Sequence, residues 1–314
     1  MTSQNTSGGE TPHSGLLPGV ADTANLKAIV FLSVSMAAFA FDDMFIKLAS
    51  AEIGVGQILA IQSTFALLYF AWLARAKGQS ITRQALLSRP LLIRHFGEAT
   101  GAVCFVVALS LMPISNASAI LQAAPLAVTL GAALILRETV GWRRWIAVLA
   151  GFAGVLFVIR PGLDGFTAAS LFAVAAAFGL ALRDLFTRAV PRTIPTEIIA
   201  LVSNAVVLAA SVILQSATSH WSWMSPYTTT MVLCASFFAI IAIHLVTIAL
   251  RIGEVSVIAP FRYVRIVMAI GFGVVVFGER PDMYTWAGIC LIVASGLYTI
   301  YREQIGKPRK RRNP

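Results

Sequence analysis

The sequence predicts an all-α integral membrane fold: ten transmembrane helices arranged as two inverted five-helix repeats. Three observations lead there. Of 314 residues, 58% are hydrophobic and 12% charged, with mean hydropathy +0.80, against about 25% charged in a soluble domain. No water-soluble core absorbs that much apolar surface. Ten apolar runs have roughly the 17–25 residues that span a bilayer. The stretches FAFDDMFIKLA and LALRDLFTRAV, finally, lie over one another at an offset of 141 residues, so that Asp43 meets Asp184, Phe45 meets Phe186 and Lys47 meets Arg188.

The elements follow in order. Residues 1–25 are polar and rich in Gly, Ser and Thr, and are expected to form a disordered cytoplasmic tail. The first apolar run is 26–48. MAAFA at 36–40 resembles a signal cleavage site, but the preceding tail is long and nearly uncharged, and the repeat pairs this run with the sixth, so it is expected to be retained. Runs 56–74, 91–112, 117–136 and 142–159 complete a first repeat, 26–160. Runs 166–186, 198–214, 228–250, 255–277 and 284–301 form a second, 161–303, and 304–314 is a basic cytoplasmic tail. None of the runs shows the period-two alternation of a membrane barrel. Pro125 and Pro260 each remove a backbone hydrogen bond and predict kinks in the fourth and ninth helices. Gly97 with Gly101 and Gly151 with Gly154 predict close helix packing. Trp142, Trp145, Trp221, Trp223 and Tyr227 read as interfacial belts. Cys104, Cys234 and Cys290 lie in apolar runs, with neither zinc nor disulfide spacing.

The net charge of +10 raises the question of nucleic acid, but its distribution answers otherwise. With the N-terminus in the cytoplasm and ten spans alternating, nineteen Lys and Arg fall inside and three (Lys47, Arg160 and Arg280) outside, leaving Arg262 and Arg265 within a helix. That is the positive-inside pattern. It predicts a multi-pass protein of the inner (plasma) membrane with both termini cytoplasmic, and no nucleic-acid partner.

The offset extends further. Ala108 and Leu109 meet Ala249 and Leu250; Ser115 meets Ser256, Glu138 meets Glu279, Trp145 meets Trp286 and Ile159 meets Ile300. Five spans is an odd number, so the second copy enters the membrane from the opposite side. Secondary transporters commonly share this plan, with the substrate site where the halves meet.

Charges within spans are costly and usually face a cavity or a partner. Asp43 with Lys47, and Asp184 with Arg188, are four apart and within pairing reach on one helix face; structural pairing and a gating or coupling role both fit. Asp42 has no partner in its own helix and could exchange a proton. Glu98 lies about 12 Å from the cytoplasmic end of its helix, Arg262 and Arg265 about 10 and 15 Å, and His244 about 9 Å. Arg262 and Arg265 share a face and repel unless an anion stands between them: Glu98, or a substrate carboxylate or phosphate. Tyr263, between them, points elsewhere but joins the candidate binding residues. Snorkelling for Arg262 and helix–helix hydrogen bonding for His244 and Gln122 are the plainer readings. Arg94 reads as an interfacial anchor paired with Glu98.

The segments ALSLMPISNASAI with LRETVGWRRWIAVLAGFAGVLFVIRPG, and ALRIGEVSVIAP with FGERPDMYTWAGICLIVASGLYTIYRE, resemble the EamA family of the drug/metabolite transporter superfamily over 26–303. DDMFIK and APFRYVRIVM most resemble its bacterial S-adenosylmethionine uptake and riboflavin carriers. The resemblance implies that the third, fourth, eighth and ninth helices line a cavity, placing Glu98, Gln122, His244 and Arg262 around one space. It implies a secondary transporter of a small zwitterionic or anionic metabolite, S-adenosylmethionine- or riboflavin-like, working by alternating access. An exporter of amino acids, metabolites or drugs is the alternative within the family. An intramembrane lipid-modifying enzyme is the alternative from another class; four scattered histidines and no HExxH motif count against it. No Walker motif is present, and no enzyme activity, cofactor or metal is expected. The expected partners are a metabolite and the lipid bilayer, and a homodimer is compatible with the sequence.

Overall fold

Inside hydrocarbon a backbone must satisfy its own polar groups, which a helix does within one segment. The computed structural model describes residues 18–79, 88–135, 137, 141–160, 167–187, 189–191, 193–253 and 255–306, and among these it contains helices and turns but no strand. The helices are α1 (Pro18–Ala49), α2 (Val55–Ala76), α3 (Arg89–Leu111), α4 (Ile114–Leu121), α5 (Ala124–Leu134), α6 (Trp142–Ile159), α7 (Ala168–Thr187), α8 (Thr196–Thr218), α9 (Pro226–Ile252), α10 (Val255–Ile258), α11 (Val264–Val275) and α12 (Met283–Gly306). Residues 18–25, expected in the disordered tail, extend the first helix. Pro18 suits a helix start because the missing N–H has no intrahelical partner there. The rest of both expected tails, 1–17 and 307–314, lies outside the described residues.

Nine helical segments among the described residues are long and apolar enough to cross a membrane, counting α4 and α5 together as Ile114–Leu134. The ninth apolar run is not among them because it is broken. Pro260 produces more than a kink: α10 ends at Ile258, a 3-10 turn covers Ala259–Tyr263, and α11 begins at Val264. In the fourth run Gln122 and Ala123 separate α4 from α5, with Pro125 in the first turn of α5.

The pairing of helices shows the internal symmetry. α1 packs along α9, α3 along α7, α2 along α8 and α6 along α12. By apolar run these are first with eighth, third with sixth, second with seventh and fifth with tenth. Exchanging the halves turns the first two pairings into each other and leaves the last two unchanged, as a two-fold inverted repeat requires.

Small residues permit these approaches. A Cβ on Gly179 of α7 would lie 2.6 Å from the backbone N of Gly101, and one on Gly97 of α3 2.7 Å from the Gly179 carbonyl. Gly179→Val should therefore push α3 from α7 and cost about 1–3 kcal/mol, read as a lower melting temperature in detergent. Gly271→Ala, where nothing lies within 4 Å, should melt like the wild type.

The two faces of the bundle differ in charge. Arg75, Arg94, Arg143, Arg144, Arg251 and Arg302 lie near helix ends on one face, called here the basic face. On the opposite face connectors are tied down by carboxylates. Glu52, between α1 and α2, accepts from the Ser225 N–H and hydroxyl, 2.7 Å each, and from the Thr228 hydroxyl at the start of α9. Those donors, Thr228 first, hold its carboxyl below the usual range. Asp282 accepts from Arg160 and caps α12 through the Thr285 N–H, 3.0 Å away. Arg160, then the Thr285 N–H, lower the Asp282 carboxyl to about 2. A depressed carboxyl stabilises fully above the ordinary value near 3.9 and loses that effect as pH falls toward 2. Asp282→Ala should cost about 1 kcal/mol at neutral pH, and thermal melts of variant and wild type should converge through that acid window.

Candidate functional site

Several of the charged residues that the sequence places inside spans meet between the two repeats. Asp43 of α1 is held by Arg265 of α11, with the guanidinium Nη2 2.7 Å and Nε 2.9 Å from the two carboxylate oxygens. This bidentate geometry suits a planar guanidinium. The Arg265 guanidinium also lies between the rings of Phe39 and Phe105, 5.0 Å from each centroid, close enough for cation–π attraction. Asp42, one residue earlier, accepts from the Gln62 amide of α2 at 2.6 Å. No guanidinium or ammonium lies within ion-pair distance of it among the described residues.

A second set lies toward the basic face. Arg262 of the 3-10 turn approaches Asp184 of α7 at 3.6 Å. Asp184 also pairs with its neighbour Arg183 at 2.9 Å. Arg183 reaches across to Glu98 of α3 at 3.2 Å, and Glu98 accepts from Arg94 one turn away at 3.4 Å. Arg94 completes the set by donating to Ser203 at 2.6 Å and Thr187 at 3.1 Å. Three carboxylates (Asp43, Glu98 and Asp184) thus pair with four guanidiniums (Arg94, Arg183, Arg262 and Arg265), and Asp42 beside them is a fourth carboxylate held by an amide alone. In a medium where a lone charge costs several kcal/mol, the seam is neutral when all eight are ionised.

The two sets differ in access. Asp43 and Arg265 are 2% and 13% exposed at the side chain, whereas Arg262 and Asp184 are 36% and 27% exposed. Phenylalanine rings cluster at the deep end: Phe41 and Phe45 stack on Phe238 with centroids 4.9 and 5.8 Å away, and Phe272 lies tilted to Phe41 at 4.8 Å.

Several sequence expectations are corrected here. Asp43 does not pair with Lys47. The Lys47 ammonium donates to the carbonyls of Leu109, at 3.0 Å, and Met112, at 2.6 Å. The last carbonyls of a helix have no intrahelical donor, and a cation there suits the helix dipole, so Lys47 caps α3. Asp184 takes Arg183 and Arg262 as partners, and Arg188, its expected mate, lies outside the described residues. No single anion stands between Arg262 and Arg265. One belongs to the 3-10 turn and the other to α11, so the alignment of a continuous helix does not apply, and each has its own carboxylate. Glu98 binds Arg183 and Arg94 instead, the latter as expected. His244 Nδ1 is 3.0 Å from the Tyr69 hydroxyl, joining α9 to α2. Gln122 donates to the Arg262 carbonyl at 3.1 Å, tying one helix break to the other. Tyr263 is buried against Gly296 of α12, away from the seam.

Sequence reading had missed Gln62, Ser203 and the linking role of Arg183. A glutamine within an apolar helix is a signal, as Gln62 illustrates. In the sequence Glu279 stands out only as the repeat-mate of Glu138. Its carboxylate accepts the N–H groups of Ile114, at 2.6 Å, and Ser115, at 3.2 Å, and the Ser115 hydroxyl. It therefore joins the connector after α11 to the start of α4, where a helix N-terminus favours an anion. Its repeat-mate Glu138 lies outside the described residues. No group of three or more metal-ligating side chains occurs among the described residues.

Two five-span repeats of opposite orientation, meeting at a charged seam with helices broken beside it, define the inverted-repeat class of membrane transport proteins. The chain belongs to the EamA-like transporter family, whose sequence profile matches it twice, at 26–160 and 167–301. It is similar to a riboflavin transporter of Vibrio cholerae, with 27% identity over 92% of this chain and 97% of that one. It is similar also to an S-adenosylmethionine uptake transporter of Rickettsia bellii, with 24% identity over 71% and 77%. A solved structure, titled only as a crystal structure of a protein, shares the fold with a TM-score of 0.59 at 19% identity, over 89% of this chain and 98% of that one.

Proposed function

We propose that the protein is a secondary transporter moving a small zwitterionic or anionic metabolite across the inner membrane by alternating access, with the basic face in the cytoplasm. The graded seam carries this reading. Arg262, Asp184, Arg183 and Glu98 are partly exposed, and Asp43 with Arg265 is sealed at the deep end. In this arrangement a solute reaches the exposed set from one side while the sealed pair closes the other.

The chemistry favours a solute with two parts. Arg262 and Arg183 offer planar donors to a carboxylate or phosphate, and the phenylalanine stack offers a surface to a flat ring. Riboflavin and S-adenosylmethionine, named for the relatives, both join a heteroaromatic ring to a polar chain. Purified protein in liposomes, given labelled flavins, S-adenosylmethionine and amino-acid derivatives, should show saturable counterflow of at least one. A folded preparation that moves none removes this reading. Reporters fused at both termini should read cytoplasmic.

Asp42 has an amide in place of a cation, and so is the carboxylate assigned to carry a coupling proton. Asp42→Asn should abolish uptake driven by a pH gradient while sparing substrate counterflow in the same liposomes. Full gradient-driven uptake by Asp42→Asn would exclude this role.

A further inference from the structure

Outside the seam, a groove of about 350 Å³ lies between α6 and α12, toward the basic face. Neither helix contributes a charged residue to the seam. The size is within the range of ligand sites, about 300–1,000 Å³. Its origin is local. α6 and α12 approach closely where a Cβ on Gly154 would lie 2.9 Å from the Gly288 carbonyl and one on Gly151 2.6 Å from the Ser295 hydroxyl. Nearer the basic face the small side chains of Ala150 and Ala294 line the groove between them. Ile146, Trp142 and Tyr298 line it and stay exposed.

The charged end indicates the occupant. Arg143 lines the groove, is exposed and lies 5.3 Å from the Trp142 ring centroid. No carboxylate stands within ion-pair distance of it among the described residues. From Trp142 to Ala150 the groove follows α6 for about 12 Å, most of the ~15 Å hydrocarbon depth of one leaflet. We propose that this groove seats one acyl chain of an anionic phospholipid, with its phosphate on Arg143. A second copy of the chain fits the charges less well. A two-fold contact presents the same patch from both sides and would set Arg143 and Arg144 against their own counterparts.

Native mass spectrometry of the full-length protein, incubated with phosphatidylglycerol or phosphatidylcholine of matched chains, tests this. Phosphatidylglycerol should be retained about fivefold more than phosphatidylcholine, the effect expected of one basic residue at a membrane surface. Arg143→Gln should remove the preference, and Ala294→Phe should reduce retention of both lipids. If Ala294→Phe does not fold, by circular dichroism, Arg143→Gln alone decides. Equal retention of the two lipids by the wild type, or an undiminished preference in Arg143→Gln, overturns the proposal. A wild-type dimer that Ala294→Phe converts to a lipid-free monomer would assign the groove to a second copy and overturn it as well.

Discussion

Arg265→Gln is expected to destabilise the protein by about 3–5 kcal/mol, the cost of stranding one partner of a buried ion pair. Asp43 is nearly inaccessible and both its oxygens are engaged by Arg265. With the guanidinium gone, Asp43 loses its donors beside a second carboxylate, Asp42, which the Gln62 amide alone holds. Much of the loss should be recovered in the double variant Asp43→Asn/Arg265→Gln, because two amides leave no uncompensated charge. The non-additivity of the cycle then measures the coupling between the pair. If the pair is the closure at the deep end, transport stays lost in the double variant although folding returns. Thermal melting and size-exclusion chromatography report folding, and liposome counterflow reports transport. An Arg265→Gln protein that melts with the wild type, or a double variant no more stable than the single, would show that the pair does not act this way.

At the exposed end of the seam the expected result is the reverse, with folding kept and transport lost. Glu98→Gln removes one charge from a set whose other members keep partners: Arg183 retains Asp184, and Arg94 retains Ser203 and Thr187. A hydrogen bond to a charged group is worth about 1.5–3 kcal/mol, so transport should fall by about 10- to 150-fold while expression and melting change little. Arg262→Ala should do the same, leaving Asp184 with Arg183 alone. Wild-type flux in both variants would remove the seam as the substrate path.

The transmembrane class, the repeat and the presence of charges within apolar runs were legible in the sequence for one reason. Composition, the length of apolar runs and an offset between halves are properties of the chain itself. Partner choice was legible for Arg94 and Glu98, one turn apart, and not for the pairs that cross between helices. Asp43 and Lys47 satisfy the spacing rule for a helical pair, yet that rule describes helices in water, where the alternative to pairing is solvation. Inside the bundle the alternatives are other helices. Arg265 offers Asp43 two donors from α11, and the open carbonyls at the end of α3 offer Lys47 a better site. Gln122 and His244 join helix to helix, the plainer of the two readings the sequence allowed.

By itself, then, the sequence determined a bilayer-spanning chain, folded as two copies of opposite orientation, with ionisable side chains inside apolar runs. Hydropathy and repetition are summed along the chain and need no knowledge of neighbours. The tertiary structure alone decided which carboxylate meets which guanidinium across helices, how far Pro260 breaks the ninth run, and which end of the seam is sealed. Those outcomes depend on desolvation and on distances between residues as many as 222 positions apart, where local spacing has no reach.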